Sequence, residues 1–161
     1  MHARASELIR RLRLEPHLEG GLFRRTWQSS LIVSPDDGRG VRHALTAIYF
    51  LLVDRGISRW HRVASDEAWH WYEGAPLELL SAPERGGTIE TRRLGPLSEA
   101  HEPQHVVPAG SWQAARSEGD YTLVGCCVGP GFDFADFTML ASLPASGRPI
   151  LAPATLAAEF L

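Results

Sequence analysis

The stretch SRWHRVASDEAWHWYEG, residues 58–74, holds two histidines, three acidic residues and three tryptophans. The runs ISRWHRV and EAWHWYEG predict a pair of β-strands joined by a short acidic turn. Alternation along the second strand places Glu67 and Trp69 on one face and His70 on the other, unless a bulge near Asp66 resets the order. Such a stretch is compatible with a metal site, with the wall of an organic pocket, or with an aromatic strand pair that carries charges at its turn.

The rest of the chain has the size and composition of one globular domain. It has 161 residues and a mass of 17.8 kDa, with 44% hydrophobic and 22% charged residues. A net charge of −3 and a pI near 6.1 give no basic footprint for nucleic acid. We find neither a signal peptide nor a membrane-spanning apolar run, and therefore expect a cytoplasmic protein with no membrane partner. The adjacent Cys126 and Cys127 are predicted to be reduced, structural thiols.

The order of predicted elements indicates an all-β protein with one short helix. SELIRRLRLEP predicts a helix over about residues 6–15, with Ser6 as its N-cap and Pro16 after its end. Short strands follow, separated by Gly, Pro, Ser or Asp, which is typical of an antiparallel sandwich or barrel. We therefore predict a single domain over residues 1–161, with the barrel at about 20–142 and a C-terminal tail.

Five segments taken in order carry a family resemblance: LIRRLRLEPHLEGGLFRRTW, ALTAIYFLL, HRVASDEAWHWYEGAPLEL, VVPAGSWQAAR and YTLVGCCVGPGFDFADF. Together they resemble the fifth cupin family of the domain catalogues, long described as a domain of unknown function. The resemblance covers about Leu8 to Phe137. It implies a cupin jelly roll, which is a double-stranded β-helix barrel, and a homodimer, because cupins commonly dimerise through their sheets.

The resemblance also sets expectations about cofactors. Metal-binding cupins hold an ion with three histidines and one glutamate, and the matching positions here are His61, Val63, Glu67 and Gln113. Val63 has no donor atom and the Gln113 amide is a poor ligand, whereas catalytic metal sites normally keep three good ligands. The expectation is therefore no cofactor. The alternative is a divalent metal held by His61 and Glu67 with His70 as the third ligand.

The preferred functional interpretation is a barrel that binds a small polar or sugar-like metabolite without a metal. Relatedness to dTDP-sugar epimerases implies epimerase or isomerase chemistry, with His61 or His70 as the base, since imidazole titrates near neutral pH. Glu67 or Asp66 would orient that imidazole, and Tyr49 or Tyr72 would act as the acid. Two alternatives stay open: a metal-dependent cupin enzyme using His61, Glu67 and a third ligand, and a binding module without catalysis.

Further residues are candidates for contact with the ligand. Arg25 shares a predicted strand face with Phe23 and Trp27 and would clamp a phosphate or carboxylate group. His17, in contrast, is predicted to be a loop or strand-end residue. The other candidate lining residues are Trp60, Asp66, Trp69, Trp71, Trp112 and Gln113.

Overall fold

Two antiparallel sheets form the protein, which we describe from a computed structural model of residues 1–161. The helices are α1 (Ala3–Leu12) and α2 (Ala154–Ala158), and single 3-10 turns span Phe134–Asp136, Leu140–Ser142 and Ala145–Gly147. The strands are β1 (Glu15–Pro16), β2 (Leu22–Gln28), β3 (Ile32–Val33), β4 (Arg42–His43), β5 (Thr46–Val53), β6 (Ile57–Val63), β7 (Asp66–Gly74), β8 (Leu77–Ala82), β9 (Gly87–Thr88), β10 (Glu90–Leu94), β11 (Gln104–Val107), β12 (Trp112–Ser117), β13 (Tyr121–Gly129), β14 (Phe137–Met139) and β15 (Leu151–Ala152). No helix is long and apolar enough to span a membrane.

The strand order confirms the predicted all-β barrel. One sheet has six strands in the order β1-β2-β5-β13-β7-β11, and the other has five in the order β10-β8-β12-β6-β14. Two small pairs, β3 with β4 and β9 with β15, lie beside them. The stretch of residues 58–74 supplies nearly all of β6 to one sheet and β7 to the other. Its acidic turn therefore crosses from sheet to sheet, and both strands present side chains to the barrel interior.

An apolar cluster fills one end of the barrel and leaves the other end free for a cavity. Strands β5 and β13 are antiparallel, so that Leu52 lies beside Thr122 at one end and Thr46 lies beside Val128 at the other. The cluster lies toward the Leu52 end. Its buried members are Phe50, Leu52, Trp69, Leu77, Leu79, Leu94, Val107, Ala115, Val124 and Cys126.

Helix α1 begins and ends about three residues earlier than the sequence predicted. The His2 ring nitrogen Nδ1 accepts a hydrogen bond from the Arg4 backbone N–H at 3.2 Å, so His2 rather than Ser6 caps the helix. On its inner side the helix packs Leu8 against Leu51 of β5. Helix α1 thus covers part of the outer face of the six-stranded sheet.

The C-terminal tail packs against the outer face of the five-stranded sheet. The Trp60 backbone N–H donates to the Phe160 carbonyl at 3.0 Å, and its indole N–H donates to the Ala157 carbonyl at 2.9 Å. The Trp112 indole N–H donates to the Glu84 carbonyl at 3.0 Å on the same face. Trp60 and Trp112 were predicted to line the pocket. They point away from it, because their strand neighbours occupy the interior face.

Candidate functional site

A cavity of about 260 Å³ opens at the end of the barrel that the apolar cluster leaves free. Acidic, imidazole and apolar side chains line it together. Arg25 is the only arginine among the lining residues, and no lysine lines the cavity. The lining residues are Glu15, His17, Glu19, Phe23, Arg25, Thr46, Ile48, His61, Val63, Glu67, Cys126, Val128, Phe132, Phe134 and Phe137. Since charged groups stand among apolar walls, the cavity suits a small ligand with a few polar contacts.

Gln113 lies behind the cavity and joins its polar groups. Its side-chain oxygen accepts a hydrogen bond from the Trp69 indole N–H at 3.0 Å, which fixes the orientation of the amide. The amide nitrogen then donates to Glu67 Oε2 at 2.6 Å and lies 3.1 Å from His61 Nε2. Gln113 thus lies among the polar groups of the site with its buried amide fully partnered inside the protein, and its contact with a ligand stays a prediction.

His61 is held at both of its ring nitrogens. Nδ1 donates to the Arg59 carbonyl at 2.8 Å, because a carbonyl oxygen only accepts. Nε2 faces both the Gln113 amide at 3.1 Å and Glu19 Oε2 at 3.3 Å. With a side chain only 2% exposed, His61 is a fixed part of the cavity floor.

The turn before β2 brings in two residues that the sequence analysis did not assign to the site. Gly20 has φ of +109°, and a Cβ there would meet the Ile57 carbonyl oxygen at 2.4 Å, so the turn requires glycine. The Glu19 carbonyl accepts from the Arg59 backbone N–H at 2.8 Å, which ties the turn to β6. Glu19 and His17 thereby reach the cavity, where His17 Nδ1 lies 3.3 Å from Glu19 Oε2.

The two buried carboxylates of the site have opposite pKa shifts. Burial disfavours the charged form of Glu19, but the neighbouring His61 and His17 outweigh it, and the pKa of Glu19 lies below its usual range. A 2.8 Å hydrogen bond from the Ser58 hydroxyl also favours its anion. Burial raises the pKa of Glu67, and neither His61 nor the bond from Gln113 cancels that rise. As the pH rises, Glu19 therefore loses its proton before Glu67 does.

The residues at the cupin metal positions do not fit a metal ion. Val63 offers no donor, and the Gln113 amide turns its N–H groups, not its oxygen, toward His61 and Glu67. No group of three His, Cys, Asp or Glu side chains is arranged to hold a metal. The predicted ligand set of His61, Glu67 and His70 is not assembled.

His70, Tyr49 and Tyr72 lie on the outer face of the six-stranded sheet, away from the cavity. The two tyrosine rings contact each other with centroids 6.2 Å apart, and His70 stands opposite Gly125 on the neighbouring strand. Side chains alternate between the two faces along β5 and β7, which places these three on the outer face. The one irregularity in the pairing of β7 with β13 lies beside Leu123, away from the acidic turn, so it does not turn His70 inward. The structure therefore separates these three residues from His61 and Glu67.

The remaining predicted residues have mixed placements. Arg25 lines the cavity, where its guanidinium donates to the Gln28 side-chain oxygen at 2.7 Å. Trp69 lies in the apolar cluster and reaches the site through Gln113, whereas the Trp71 indole N–H donates to the Ala75 carbonyl at 3.1 Å. The Asp66 carboxylate accepts from the Ala109 backbone N–H at 2.8 Å and serves the turn.

Comparison with known proteins agrees with this architecture. The family model Cupin_5, described as cupin superfamily (DUF985), matches residues 6–140. A hypothetical protein from Leishmania major is 32% identical with a TM-score of 0.77, and the alignment covers 83% of this chain and 85% of that one. A protein from Shewanella oneidensis is 35% identical with a TM-score of 0.75, and the alignment covers 84% and 83% of the two chains.

More distant similarity is limited to the fold. A dTDP sugar isomerase from Desulfovibrio desulfuricans is 12% identical with a TM-score of 0.53, and the alignment covers 79% of this chain and 83% of that one. None of the curated proteins matches this chain. The family match covers most of the sequence, and the two closer structures extend over the same barrel. The chain belongs to the Cupin_5 family of the cupin superfamily.

Proposed function

We propose that the cavity binds a small polar metabolite and transfers a proton on it, as an epimerase or isomerase does. The observation that carries the proposal is the Glu19 carboxylate, which lies 3.3 Å from a nitrogen of each of two imidazoles, His17 and His61, on the cavity wall. Paired groups whose environments push their pKa values apart are typical of acid–base sites. Glu19 and Glu67, with their opposite pKa shifts, form such a pair.

The chemistry requires no further reactant. An imidazole removes a proton from the carbon next to a carbonyl group, and the C–H electron pair moves toward the carbonyl oxygen. The Glu19 charge stabilises the resulting imidazolium. Burial raises the pKa of Glu67, which favours the carboxylic acid form that can donate a hydrogen bond to the developing oxyanion, and a proton then returns to carbon. Return of the proton to the opposite face of the same carbon gives an epimer. If that carbon bears a hydroxyl group, return of the proton to the former carbonyl carbon, with transfer of the hydroxyl proton to the former carbonyl oxygen, gives an isomer.

The size of the cavity favours a ligand of about one sugar ring. Its volume of about 260 Å³ lies just below the usual range for ligand pockets, which begins at about 300 Å³. The aromatic rings of Phe132 and Phe137 line it and suit the C–H faces of a sugar. The sugar isomerase from Desulfovibrio desulfuricans has the same fold, and at 12% identity its likeness extends no further.

Arg25 favours a ligand that carries an anionic group. Replacing Arg25 by alanine is expected to weaken binding of phosphorylated or carboxylated sugars about 10- to 100-fold, because a charge-assisted hydrogen bond is lost. Arg24→Ala is the matched control, since the Arg24 guanidinium lies 5.7 Å from the Tyr49 ring centroid on the outer face. Calorimetric titration of both variants with the same sugar phosphate measures the difference. Equal loss in the two variants would exclude Arg25 as the anion contact.

Exchange of carbon-bound hydrogen with deuterated water tests the proposed reaction. The wild-type protein is incubated in deuterated water with ketoses of four to six carbons, their phosphates and the corresponding sugar acids, and proton NMR follows the loss of carbon-bound protons. We expect exchange next to the carbonyl of at least one compound, and no change after treatment with a chelator. Exchange that disappears with the chelator and returns with a divalent metal would favour the metal-dependent alternative. Tight binding of a compound without exchange would favour a binding module.

A further inference from the structure

The two imidazoles beside Glu19 differ in how many of their nitrogens have partners within the protein. Both nitrogens of His61 are engaged, Nδ1 by the Arg59 carbonyl and Nε2 by Gln113 and Glu19. This holds whether His61 is neutral and accepts from Gln113 or is protonated and donates to Glu19. A ligand that used His61 Nε2 would have to displace one of these contacts.

His17 has one engaged and one free nitrogen. Its Nδ1 lies 3.3 Å from Glu19 Oε2, to which it donates only when it carries a proton, and 3.4 Å from the Glu19 backbone nitrogen, whose N–H donates to it only when it does not. We assign the proton to Nδ1, donated to the carboxylate, because a charge-assisted hydrogen bond is about twice as strong as a neutral one. Nε2 has no hydrogen-bond partner in the protein. It is not fully buried, so a molecule in the cavity can reach it. In this tautomer Nε2 carries a lone pair.

Aromatic rings hold the His17 imidazole in place. Phe23, Phe50 and Phe137 meet it edge-on, with ring centroids 4.6, 6.2 and 6.1 Å away. The side chain is 8% exposed, against 2% for His61, and it lines the cavity. The ring is therefore fixed, oriented by a carboxylate and accessible from the cavity, as a general base requires.

We propose that His17 is the catalytic base, and that Glu19 and His61 are positioning residues that act through it. This inference rests on the proposed proton-transfer function. The substrate C–H bond breaks, its proton goes to His17 Nε2, and the electron pair moves to the adjacent carbonyl. Glu19 holds Nδ1–H throughout and stabilises the imidazolium. His61, in its protonated form, donates Nε2–H to Glu19 Oε2 over the 3.3 Å contact and thereby holds the carboxylate in turn.

The tautomer of His17 is tested without any substrate. Protein labelled with ¹⁵N-histidine is studied by long-range proton–nitrogen correlation NMR at mildly alkaline pH. A His17→Asn sample assigns the signals of the missing ring. We expect His17 to show a protonated Nδ1 and an unprotonated Nε2. A proton on Nε2 would overturn the assignment of His17 as the base, whatever the protein catalyses.

Variants test the role in turnover. His17→Asn is expected to lower the exchange rate about 10²- to 10⁴-fold, as expected for loss of a general base. His61→Asn is expected to cost at most about tenfold, because it removes only one neighbour of Glu19. His101→Asn is the matched control, because His101 is half-buried in the loop between β10 and β11 and does not line the cavity, and thermal unfolding checks that each variant is folded. A larger loss in His61→Asn than in His17→Asn would overturn the inference and leave the proposed reaction standing. Failure of the wild-type protein to exchange any compound would instead remove the proposed reaction, and the NMR result alone would then decide the state of His17.

Discussion

Replacing Glu19 by glutamine is expected to lower the rate of proton exchange about 10³- to 10⁴-fold while the barrel stays folded. The glutamine oxygen can keep the hydrogen bond from Ser58, and its N–H group would then donate to His17 Nδ1. The imidazole would be forced to carry its proton on Nε2, where a base needs a lone pair. The loss would thus come from the wrong tautomer rather than from a change of shape. Exchange kinetics in deuterated water measure it.

The control for this variant is a glutamate far from the cavity. Glu99→Gln, in an exposed loop, removes the same charge and is expected to leave the rate unchanged. The ¹⁵N-histidine spectrum of Glu19→Gln adds a second readout, because the His17 proton is expected to move from Nδ1 to Nε2. A Glu19→Gln protein that exchanges at close to the wild-type rate would show that the carboxylate charge plays no part in the reaction.

The largest effect on stability is expected at Trp60. Trp60→Ala is expected to lower the free energy of unfolding by about 3–5 kcal/mol, because it empties a fully buried indole site. The ring is 1% exposed, packs against Phe160 with centroids 6.2 Å apart, and donates its N–H to the Ala157 carbonyl. Its loss would remove one hydrogen bond to that carbonyl and the apolar contact with Phe160, and leave the backbone bond from residue 60 to Phe160 to hold the C-terminal tail. Urea unfolding followed by tyrosine and residual tryptophan fluorescence measures the change.

Trp27→Ala is the matched control for Trp60→Ala. The Trp27 ring is 60% exposed, so the same substitution there is expected to change the free energy of unfolding by less than about 1 kcal/mol. Equal effects at the two tryptophans would mean that the tail does not contribute to the stability of the barrel.

The sequence predicted the barrel and half of the site, because both depend on local patterns. Period-two alternation in β7 places Glu67 toward the interior and His70 away from it, as the unbulged interpretation predicted. The pairing of His61 with Gln113 across β6 and β12 follows the spacing of the two family motifs. Trp60 was predicted to line the pocket because aromatic residues are abundant in this stretch, but it is the strand neighbour of His61 and lies on the opposite face of β6.

His17 and Glu19 were missed because nothing local marks them as site residues. Their segment is a short polar turn, and such turns are usually solvated. It becomes part of the cavity only through contacts distant in sequence, from Glu19 to Ser58 and to the Arg59 backbone. The one sequence signal is the pair Gly20–Gly21, whose positive φ angles of 109° and 66° allow the close approach to β6 and β5. Two adjacent glycines indicate a tight turn that approaches other strands closely, whereas the chemistry of the neighbouring side chains does not indicate a site.

The Gln113 amide holds the His61 ring and the Glu67 carboxylate at a fixed separation. Its two N–H groups stand between His61 and Glu67, at the position where a cation would otherwise attract both side chains. A side-chain amide carries no net charge, unlike a cation, but it is covalently attached to the chain and cannot be lost by dilution or chelation. The relative placement of the imidazole and the carboxylate is therefore set by a side chain of the folded protein.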